Sequence, residues 1–499
     1  MPEVTDRLPG RRTLVDGAIV VVAILAAATL WAVGDRSAES LLKSVAAMAG
    51  AAAVFACGRD HPVIAVAIVF ALASASRLTL ETPLGTLRVE QPAIVALVVV
   101  AAIRVRRESL NAPRQVWVVG VAVLVYLSVM AVSSALVAPQ PIASLRMTLW
   151  WTISAAGGTA AFILLRDHIR AGRDSFVAIG TGFAVAGIIA AAIFSIAGPD
   201  VAPGIQETLS VQPRVYGLGW ETNLYASYVA AILLLAAGAA AERPGIAIGA
   251  VALLGIAFPL GSTRGAYLGL AAGALSMGAI IAWRVGRRRF RVPRTLISTV
   301  GVAAVALAVG IVCVGLLLPN IDQRREREQA AARPSPSPAA SLSPSPAASL
   351  SPSPRPTLVP AADTIGFRLA RIGPAIDDFW QSPVIGLGAE SFGQRHADAS
   401  QVGAPPDHLP FLILAAPYEA GVIGAVALLV ALLLVLWGLI GRTRGSRPVL
   451  AASLVGVVVS LLVAYQATNA LHFATNWLLL GLAMAVAWGR DDASTAANL

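Results

Sequence analysis

Residues Leu296–Leu318 read LISTVGVAAVALAVGIVCVGLLL, an apolar run without a charged side chain. An α-helix needs about 20 apolar residues to cross the hydrocarbon core of a bilayer, so this run is long enough to span it. Similar runs recur along the chain of 499 residues, which is 57% hydrophobic and only 13% charged. The sequence therefore predicts an integral membrane protein and excludes a water-soluble globule.

The apolar runs are continuous, whereas the strands of a membrane barrel would alternate apolar and polar residues. A span in lipid must satisfy its backbone hydrogen bonds internally, which helices do. The predicted fold class is all-α, a polytopic membrane protein with about 12–14 transmembrane helices. The predicted spans are Val15–Val33, Leu41–Cys57, Val63–Ser76, Pro92–Ile103, Val116–Val137, Leu149–Leu165, Phe176–Ala197, Leu224–Ala241, Ile246–Leu260, Ala266–Trp283, Leu296–Leu318, Phe411–Ile440, Val449–Ala464 and Trp477–Trp488.

The net charge of +10 comes from arginine, since Lys43 is the one lysine. Arginine near the ends of spans favours the cytoplasmic side. Every large arginine cluster falls on one side if both termini are cytoplasmic, which predicts a multi-pass protein of the cytoplasmic membrane. The charge is therefore explained by topology and gives no reason to expect a nucleic-acid partner. The short outer loops hold only six arginines: Arg36, Arg77, Arg88, Arg146, Arg214 and Arg264.

Four regions follow from this map. Residues 1–210 hold the N-terminal helices, residues 211–318 hold helices that carry arginine motifs, residues 319–410 form a long extracytoplasmic loop, and residues 411–499 hold the C-terminal helices. Within the loop, Pro334–Pro356 repeats Ser-Pro-Ser-Pro. Alternating prolines favour extended polyproline conformations, so this stretch is interpreted as a flexible spacer. Cys57 and Cys313 lie inside apolar runs as small core residues.

Three residues of the outer side stand out. Arg214 precedes a span, and Arg264 lies where two apolar runs almost meet. A guanidinium in that position needs a counter-charge or a wet cavity, and its planar fork suits phosphate oxygens. His408 lies at the outer mouth of a span and is suited to proton transfer near neutral pH. The alternatives are arginines that snorkel to lipid headgroups and a histidine that only makes surface hydrogen bonds; His396 and His472 also fall outside.

No group of His, Cys, Asp and Glu in the sequence has metal-ligand spacing, so no metal or cofactor is expected. The residues alone leave three functions open. An enzyme acting on an anionic substrate would use the outer arginines and histidine. A polysaccharide or lipid-linked-sugar transporter or flippase would show internal repeats and polar residues near the midplane, and neither is evident. A scaffold without catalysis would tolerate changes at Arg214, Arg264 and His408.

The order of the motifs resembles the O-antigen ligase and polymerase family. Gly261–Leu268 resembles its Ser-x-Arg-Gly-aromatic motif. Pro383–Gly388 resembles its Pro-x-x-Gly-x-Gly motif, and Glu419–Gly424 its Glu-x-Gly-x-x-Gly motif. Asp407-His408 is similar to its histidine motif, although Leu409 stands where the family has Asn. The resemblance runs from about Gln212 to Gly424.

The resemblance implies a membrane glycosyltransferase with the C-type helical fold, active outside the cytoplasm and independent of metal. Its donor would be an undecaprenyl-diphosphate-linked oligosaccharide and its acceptor a glycan or lipid-linked hydroxyl compound. By this likeness Arg214 and Arg264 hold the diphosphate and His408 activates the acceptor. Arg368, Arg371, Tyr267 and Glu419 are predicted to bind substrate. The amphipathic helix predicted over Arg368–Trp380 would lie on the membrane interface as a lid.

Overall fold

The structure is a computed structural model, and it describes the greater part of the chain. The described residues are 25–29, 37–75, 78–82, 85–108, 112–197, 205–208, 211–218, 221–261, 263–286, 294–318, 364–396, 409–445 and 447–490. The predictions that fall wholly or mostly outside these ranges include the first span at Val15–Val33, of which only residues 25–29 are described and are helical. They also include the loop 319–410 with its spacer Pro334–Pro356, and the residues Arg36, Arg77 and His408.

The described residues form a bundle of long helices with short elements at their ends. The helices are α1 (Ala38–Gly58), α2 (Pro62–Ser74), α3 (Glu90–Glu108), α4 (Arg114–Leu136), α5 (Pro141–Leu165), α6 (Ile169–Ala197), α7 (Thr222–Ala240), α8 (Pro244–Leu260), α9 (Arg264–Gly286), α10 (Arg294–Leu317), α11 (Thr364–Leu369), α12 (Ile372–Phe379), α13 (Ser391–Arg395), α14 (Leu412–Arg442), α15 (Pro448–Ala464) and α16 (Ala474–Trp488). The strands are β1 (Thr79–Thr82), β2 (Gly85–Arg88), β3 (Ile205–Thr208) and β4 (Val211–Val215).

The long helices coincide with the predicted spans, so the all-α polytopic fold is confirmed. Thirteen of the fourteen predicted runs overlap one of these helices. Within the described residues, eight helices are long and apolar enough to cross a membrane: α1, α4, α5, α6, α7, α9, α10 and α14. Helices α2, α8, α15 and α16 are apolar but shorter.

Small residues let neighbouring helices approach closely. Gly158 of α5 lies against the backbone of Trp477 in α16, where even a methyl group would collide. Gly273 of α9 meets Gly456 of α15 in the same way. In lipid, helices associate through close packing and not through the hydrophobic effect, and small residues at the contact allow it. The packing therefore fixes which helices are neighbours.

The loops predicted to lie on the cytoplasmic side meet at one end of the bundle, which we call the basic end. Arg104 at the end of α3 pairs with Asp167 after α5 at 3.4 Å. Arg173 near the start of α6 is buried and pairs with Glu242 after α7 at 2.8 Å. Arg104 and Arg173 of this end are thus matched by carboxylates.

The other end, here the loop end, gathers the two hairpins, α11–α13 and residues 465–473. The hairpins β1–β2 and β3–β4 are antiparallel. The positions of the apolar runs in the sequence did not predict them. Ser144 Oγ at the start of α5 donates to the Ala389 carbonyl at 2.7 Å. The amide of Leu412 at the start of α14 donates to the Tyr465 carbonyl at 3.2 Å. These contacts bring segments far apart in sequence to one surface.

The helix predicted over Arg368–Trp380 is instead two short helices, α11 and α12, separated at Ala370 and Arg371. Pro374 explains the break. Proline has no backbone N–H to donate to the carbonyl four residues earlier, which is that of Ala370, and its ring clashes with that carbonyl in a continuous helix. It is tolerated in the first turn, so a new helix begins at Ile372.

Candidate functional site

Three arginines from separate parts of the chain form a cluster at the loop end, here the arginine cluster. Arg214 lies on β4, Arg264 is the first residue of α9 and Arg368 lies in α11. Burial lowers the pKa of Arg214, and the positive charges of Arg264 and Arg368 lower it further. No described carboxylate lies within ion-pair distance of the three. Because like charges repel, this arrangement favours an anion among them.

Two buried polar atoms, one in the arginine cluster and one beside it, also indicate that a ligand binds there. Arg214 Nε and Thr263 Oγ1 are buried and make no hydrogen bond with the described residues. An unsatisfied buried polar atom costs about 1–3 kcal/mol, so native proteins rarely leave one without a reason. Thr263 directly precedes Arg264 at the start of α9. A bound ligand that accepts and donates hydrogen bonds would satisfy both atoms.

Glu221 borders the arginine cluster. Burial lowers the pKa of Arg368, and the negative charge of Glu221 raises it in part. Glu221 Oε1 accepts a hydrogen bond from Thr468 Oγ1 at 2.8 Å. This bond connects the residue before α7 to the loop between α15 and α16. The residues around the arginine cluster are therefore held together by contacts between separate segments of the chain.

The other predicted residues lie around the cluster or outside the described chain. Tyr267 follows Arg264 by one turn of α9, is 39% exposed, and packs edge-on against Phe258 with ring centroids 4.8 Å apart. Arg371 is half-buried at the N-terminus of α12, three residues after Arg368. His408 is not among the described residues, so its predicted role as base stays a prediction.

Two of the motifs clasp each other in space. Residues 383–390 run alongside the first half of α14. The amide of Val422 donates to the Pro383 carbonyl at 2.9 Å, and the amide of Gly388 donates to the Glu419 carbonyl at 3.0 Å. The Pro-x-x-Gly-x-Gly motif is therefore joined by its backbone to the Glu-x-Gly-x-x-Gly motif.

Glycine makes this clasp possible. Gly421 has φ +62° and ψ −174°, a conformation that is essentially confined to glycine, and it bends α14. A Cβ at Gly421 would collide with the Val384 carbonyl oxygen, and one at Gly386 would collide with the amide nitrogen of Gly421. Backbone meets backbone here with no space for a methyl group.

Glu419 lies inside the clasp and is 3% exposed. Its Oε1 accepts from the Glu390 amide at 3.2 Å, and its carbonyl accepts from Ser133 Oγ at 2.9 Å. Glu419 Oε2 is buried with no hydrogen-bond partner among the described residues. The contacts made by Glu419 hold the clasp together, and its predicted substrate contact stays a prediction.

A histidine and a carboxylate cross-link the loop helices. His396 Nε2 lies 2.8 Å from Asp378 Oδ2, and Tyr418 Oη donates to the same oxygen at 2.9 Å. The ring of His396 lies 4.6 Å from that of Phe392. This network connects α12, α13 and α14. These contacts hold the short loop helices against the helical bundle, and this structural role accounts for them.

A cavity of about 250 Å³ opens at the loop end beside the arginine cluster. Its lining includes Arg88, Trp150, Glu221, Asn469 and His472. Burial lowers the pKa of Arg88, while Glu90 and Glu390 raise it in part. The Arg88 guanidinium carbon lies 4.2 Å from the centroid of the Phe473 ring. Among the described residues, no three of His, Cys, Asp and Glu are grouped so as to hold a metal ion.

The family comparison adds to this geometry. The model of the O-antigen ligase family matches residues 249–428. This chain carries an O-antigen ligase domain. The resemblance drawn from its motifs is confirmed, and with the helical bundle it indicates a multi-pass membrane glycosyltransferase of the O-antigen ligase or polymerase type. No curated protein matches the chain.

The O-antigen ligase domain contains six of the seven predicted site residues, and Arg214 lies before it. Thr263, Glu221 and Asn469 were not predicted as site residues from the sequence. Thr263 and Glu221 stand next to quoted motifs, and their position there was the available signal. Asn469 lies in a short loop between two spans, where nothing in the local pattern marks it.

Proposed function

We propose that the chain transfers an oligosaccharide from an undecaprenyl-diphosphate donor to a hydroxyl of a glycan or lipid-linked acceptor. The observation that carries this is the convergence of Arg214, Arg264 and Arg368 with no described carboxylate within ion-pair distance. A diphosphate offers several anionic oxygens at one place, and guanidinium groups bind such oxygens in bidentate fashion. The O-antigen ligase domain gives the reaction type that uses such a site.

The arginines act on the leaving group. When the acceptor oxygen bonds to the anomeric carbon, the bond from that carbon to the phosphate oxygen breaks, and its electron pair leaves with undecaprenyl diphosphate. Negative charge then builds on the diphosphate. Fixed guanidinium groups stabilise this charge in the transition state more than in the ground state, which accelerates the reaction.

His408 is the proposed base. It takes the proton of the acceptor hydroxyl as the oxygen attacks, which makes the hydroxyl a competent nucleophile. Imidazole is suited to this because its ordinary pKa lies near neutral pH. In the sequence His408 directly precedes Leu409 and α14, whose first residue, Leu412, lies at the loop end.

The loop end is proposed to face the outside of the cytoplasmic membrane, with both termini in the cytoplasm. The distribution of arginines supports this orientation, because the basic end carries the large clusters. A lipid-linked donor would then reach the arginine cluster from the outer leaflet. Arg371 and Tyr267 are proposed to contact the same substrate.

Transfer by purified protein in lipid nanodiscs tests the proposal, with undecaprenyl-diphosphate oligosaccharide alone or with a glycolipid acceptor. A ladder from the donor alone indicates a polymerase, and a single addition to the glycolipid indicates a ligase. No turnover with either, accompanied by movement of the lipid-linked sugar across a vesicle membrane, would favour a transporter and contradict the proposal.

His408→Ala is expected to lower the transfer rate by roughly 100- to 10,000-fold, the range typical of a lost general base. The loss should be in kcat, with the KM for the donor nearly unchanged, because the arginines still bind the diphosphate. Transfer rates of the wild type and of His408→Ala, measured over a range of pH, check the assignment of His408 as the base. Turnover at the wild-type rate in His408→Ala would remove His408 as the base.

Transfer is expected to continue in excess EDTA, because guanidinium groups supply the charge stabilisation that a metal would supply. The measurement compares initial rates with EDTA and with added Mg²⁺. The two rates are expected to agree within about twofold. A twofold difference in rate corresponds to about 0.4 kcal/mol in the activation free energy, far less than the loss of a catalytic metal would cause. Loss of activity in EDTA with recovery in Mg²⁺ would contradict a mechanism that relies on arginine alone.

A further inference from the structure

The cavity at the loop end is built from several segments of the chain. The hairpin β1–β2, the start of α5, the start of α7 and residues 468–473 supply its walls. At about 250 Å³ it far exceeds the roughly 10–15 Å³ that one buried water requires. A space of this size among ordered elements can hold a small organic group.

The lining has both signs of charge and hydrogen-bonding groups of both kinds. Arg88 and Arg146 contribute two positive charges, and Glu221 and Glu390 contribute two negative charges. Asn469 also lines the cavity, is 4% exposed, and has its Oδ1 buried without a hydrogen-bond partner among the described residues. A buried acceptor of this kind indicates a missing donor.

This balance selects among ligands. A site for an anion has a net positive lining, and a site for a metal ion has a cluster of carboxylates. The four charged side chains of the described lining instead cancel. An acyl chain would leave the buried Asn469 Oδ1 without a hydrogen-bond donor. A neutral compound rich in hydroxyls fits, because each hydroxyl both donates to carboxylate or amide oxygens and accepts from guanidinium groups.

The cavity adjoins the arginine cluster. Glu221 lines the cavity and acts electrostatically on Arg368 of the cluster. Thr468 lines the cavity as well and bonds to Glu221 at 2.8 Å. A group in the cavity is therefore next to a group held by the arginines.

We propose that this cavity is a subsite for a neutral sugar ring of the glycan, beside the anion held by the arginine cluster. The inference rests on the proposed function, which supplies a glycan joined to a diphosphate. Asn469 Oδ1 accepts from a sugar hydroxyl, and Arg146 and Glu390 bond to other hydroxyls. The sugar belongs either to the donor or to the acceptor, and kinetics separate the two.

Saturation-transfer NMR on the full chain in nanodiscs tests the subsite without requiring turnover. The probe is the free oligosaccharide, which mild acid releases from the lipid-linked glycan. The released oligosaccharide carries no diphosphate. Asn469→Leu keeps the volume and removes the amide, and Arg146→Gln changes an exposed side chain of the lining. Arg294→Gln is the matched control, an exposed arginine that begins α10 outside the cavity.

The wild type and Arg294→Gln are expected to bind the oligosaccharide equally, and Asn469→Leu and Arg146→Gln about tenfold more weakly, as for the loss of one good hydrogen bond. In the transfer assay, a lining variant with a higher KM for the donor shows that the sugar belongs to the donor. A higher KM for the acceptor shows that the sugar belongs to the acceptor. Binding unchanged in both lining variants would overturn the subsite even if transfer is normal. Asn469-dependent sugar binding by a protein that transfers nothing would uphold the subsite and reject the proposed function.

Discussion

Arg264→Ala is expected to lower the transfer rate by about 100- to 1,000-fold, as the loss of one transition-state hydrogen-bond donor does in other enzymes. The change removes a guanidinium that lies with Arg214 and Arg368 and has no described carboxylate within ion-pair distance. Arg264 is exposed, so its removal leaves no cavity in the core. The measurement is the rate of transfer by purified variant in nanodiscs.

Arg294→Ala is the matched control. Arg294 is also an exposed arginine and the first residue of an apolar helix. Helix α10 runs parallel to α8, since Gly255 packs on Ala306 and Gly310 on Pro259. Arg294 therefore begins its helix at the end of the bundle opposite Arg264. Transfer by Arg264→Ala at more than half the Arg294→Ala rate would show that the arginine cluster does not act on the leaving group.

Gly421→Ala is expected to destabilise the folded protein by about 3 kcal/mol or more. Part of this is the strain of placing alanine at φ +62°, which costs about 1–3 kcal/mol. The rest is the collision of the new methyl group with the Val384 carbonyl, which forces the two clasped motifs apart. Thermal unfolding and the yield of monodisperse protein on size exclusion measure the loss.

Gly441→Ala provides the comparison within the same helix. No atom lies within 4 Å of a Cβ at Gly441, and its φ is ordinary. Alanine there is expected to be neutral or stabilising by up to about 1 kcal/mol, because it favours helix over glycine. Unfolding temperatures that agree between Gly421→Ala and Gly441→Ala would contradict the clasp.

The positions of the helices could be predicted because lipid leaves a backbone few choices. Each described long helix overlaps a predicted apolar run, as α10 contains nearly all of Leu296–Leu318. The ends were less predictable. Helix α5 begins at Pro141, eight residues before the predicted Leu149, because Ser144 and its neighbours lie against the loop segment and not in lipid. The hairpins are too short to show a pattern.

The site could be predicted in part. The motifs around Arg264 and Arg214 marked both arginines, since each guanidinium needs an explanation beside an apolar run. That they meet Arg368 depends on packing between segments distant in sequence, which no local pattern contains. The same holds for Asn469, whose unsatisfied oxygen is visible only when the surrounding elements are in place.

Binding of undecaprenyl diphosphate to the purified protein tests most directly whether the arginine cluster holds a diphosphate. The experiment compares undecaprenyl diphosphate with undecaprenol on the wild type, on Arg294→Ala, and on the combined Arg214→Ala, Arg264→Ala and Arg368→Ala variant. We expect the diphosphate to bind at least 100-fold more tightly than the alcohol to the first two, and the preference to vanish in the combined variant, since the charge-assisted bonds are lost. Equal binding of the two lipids by the wild type, or a preference that persists without the three arginines, would contradict the account.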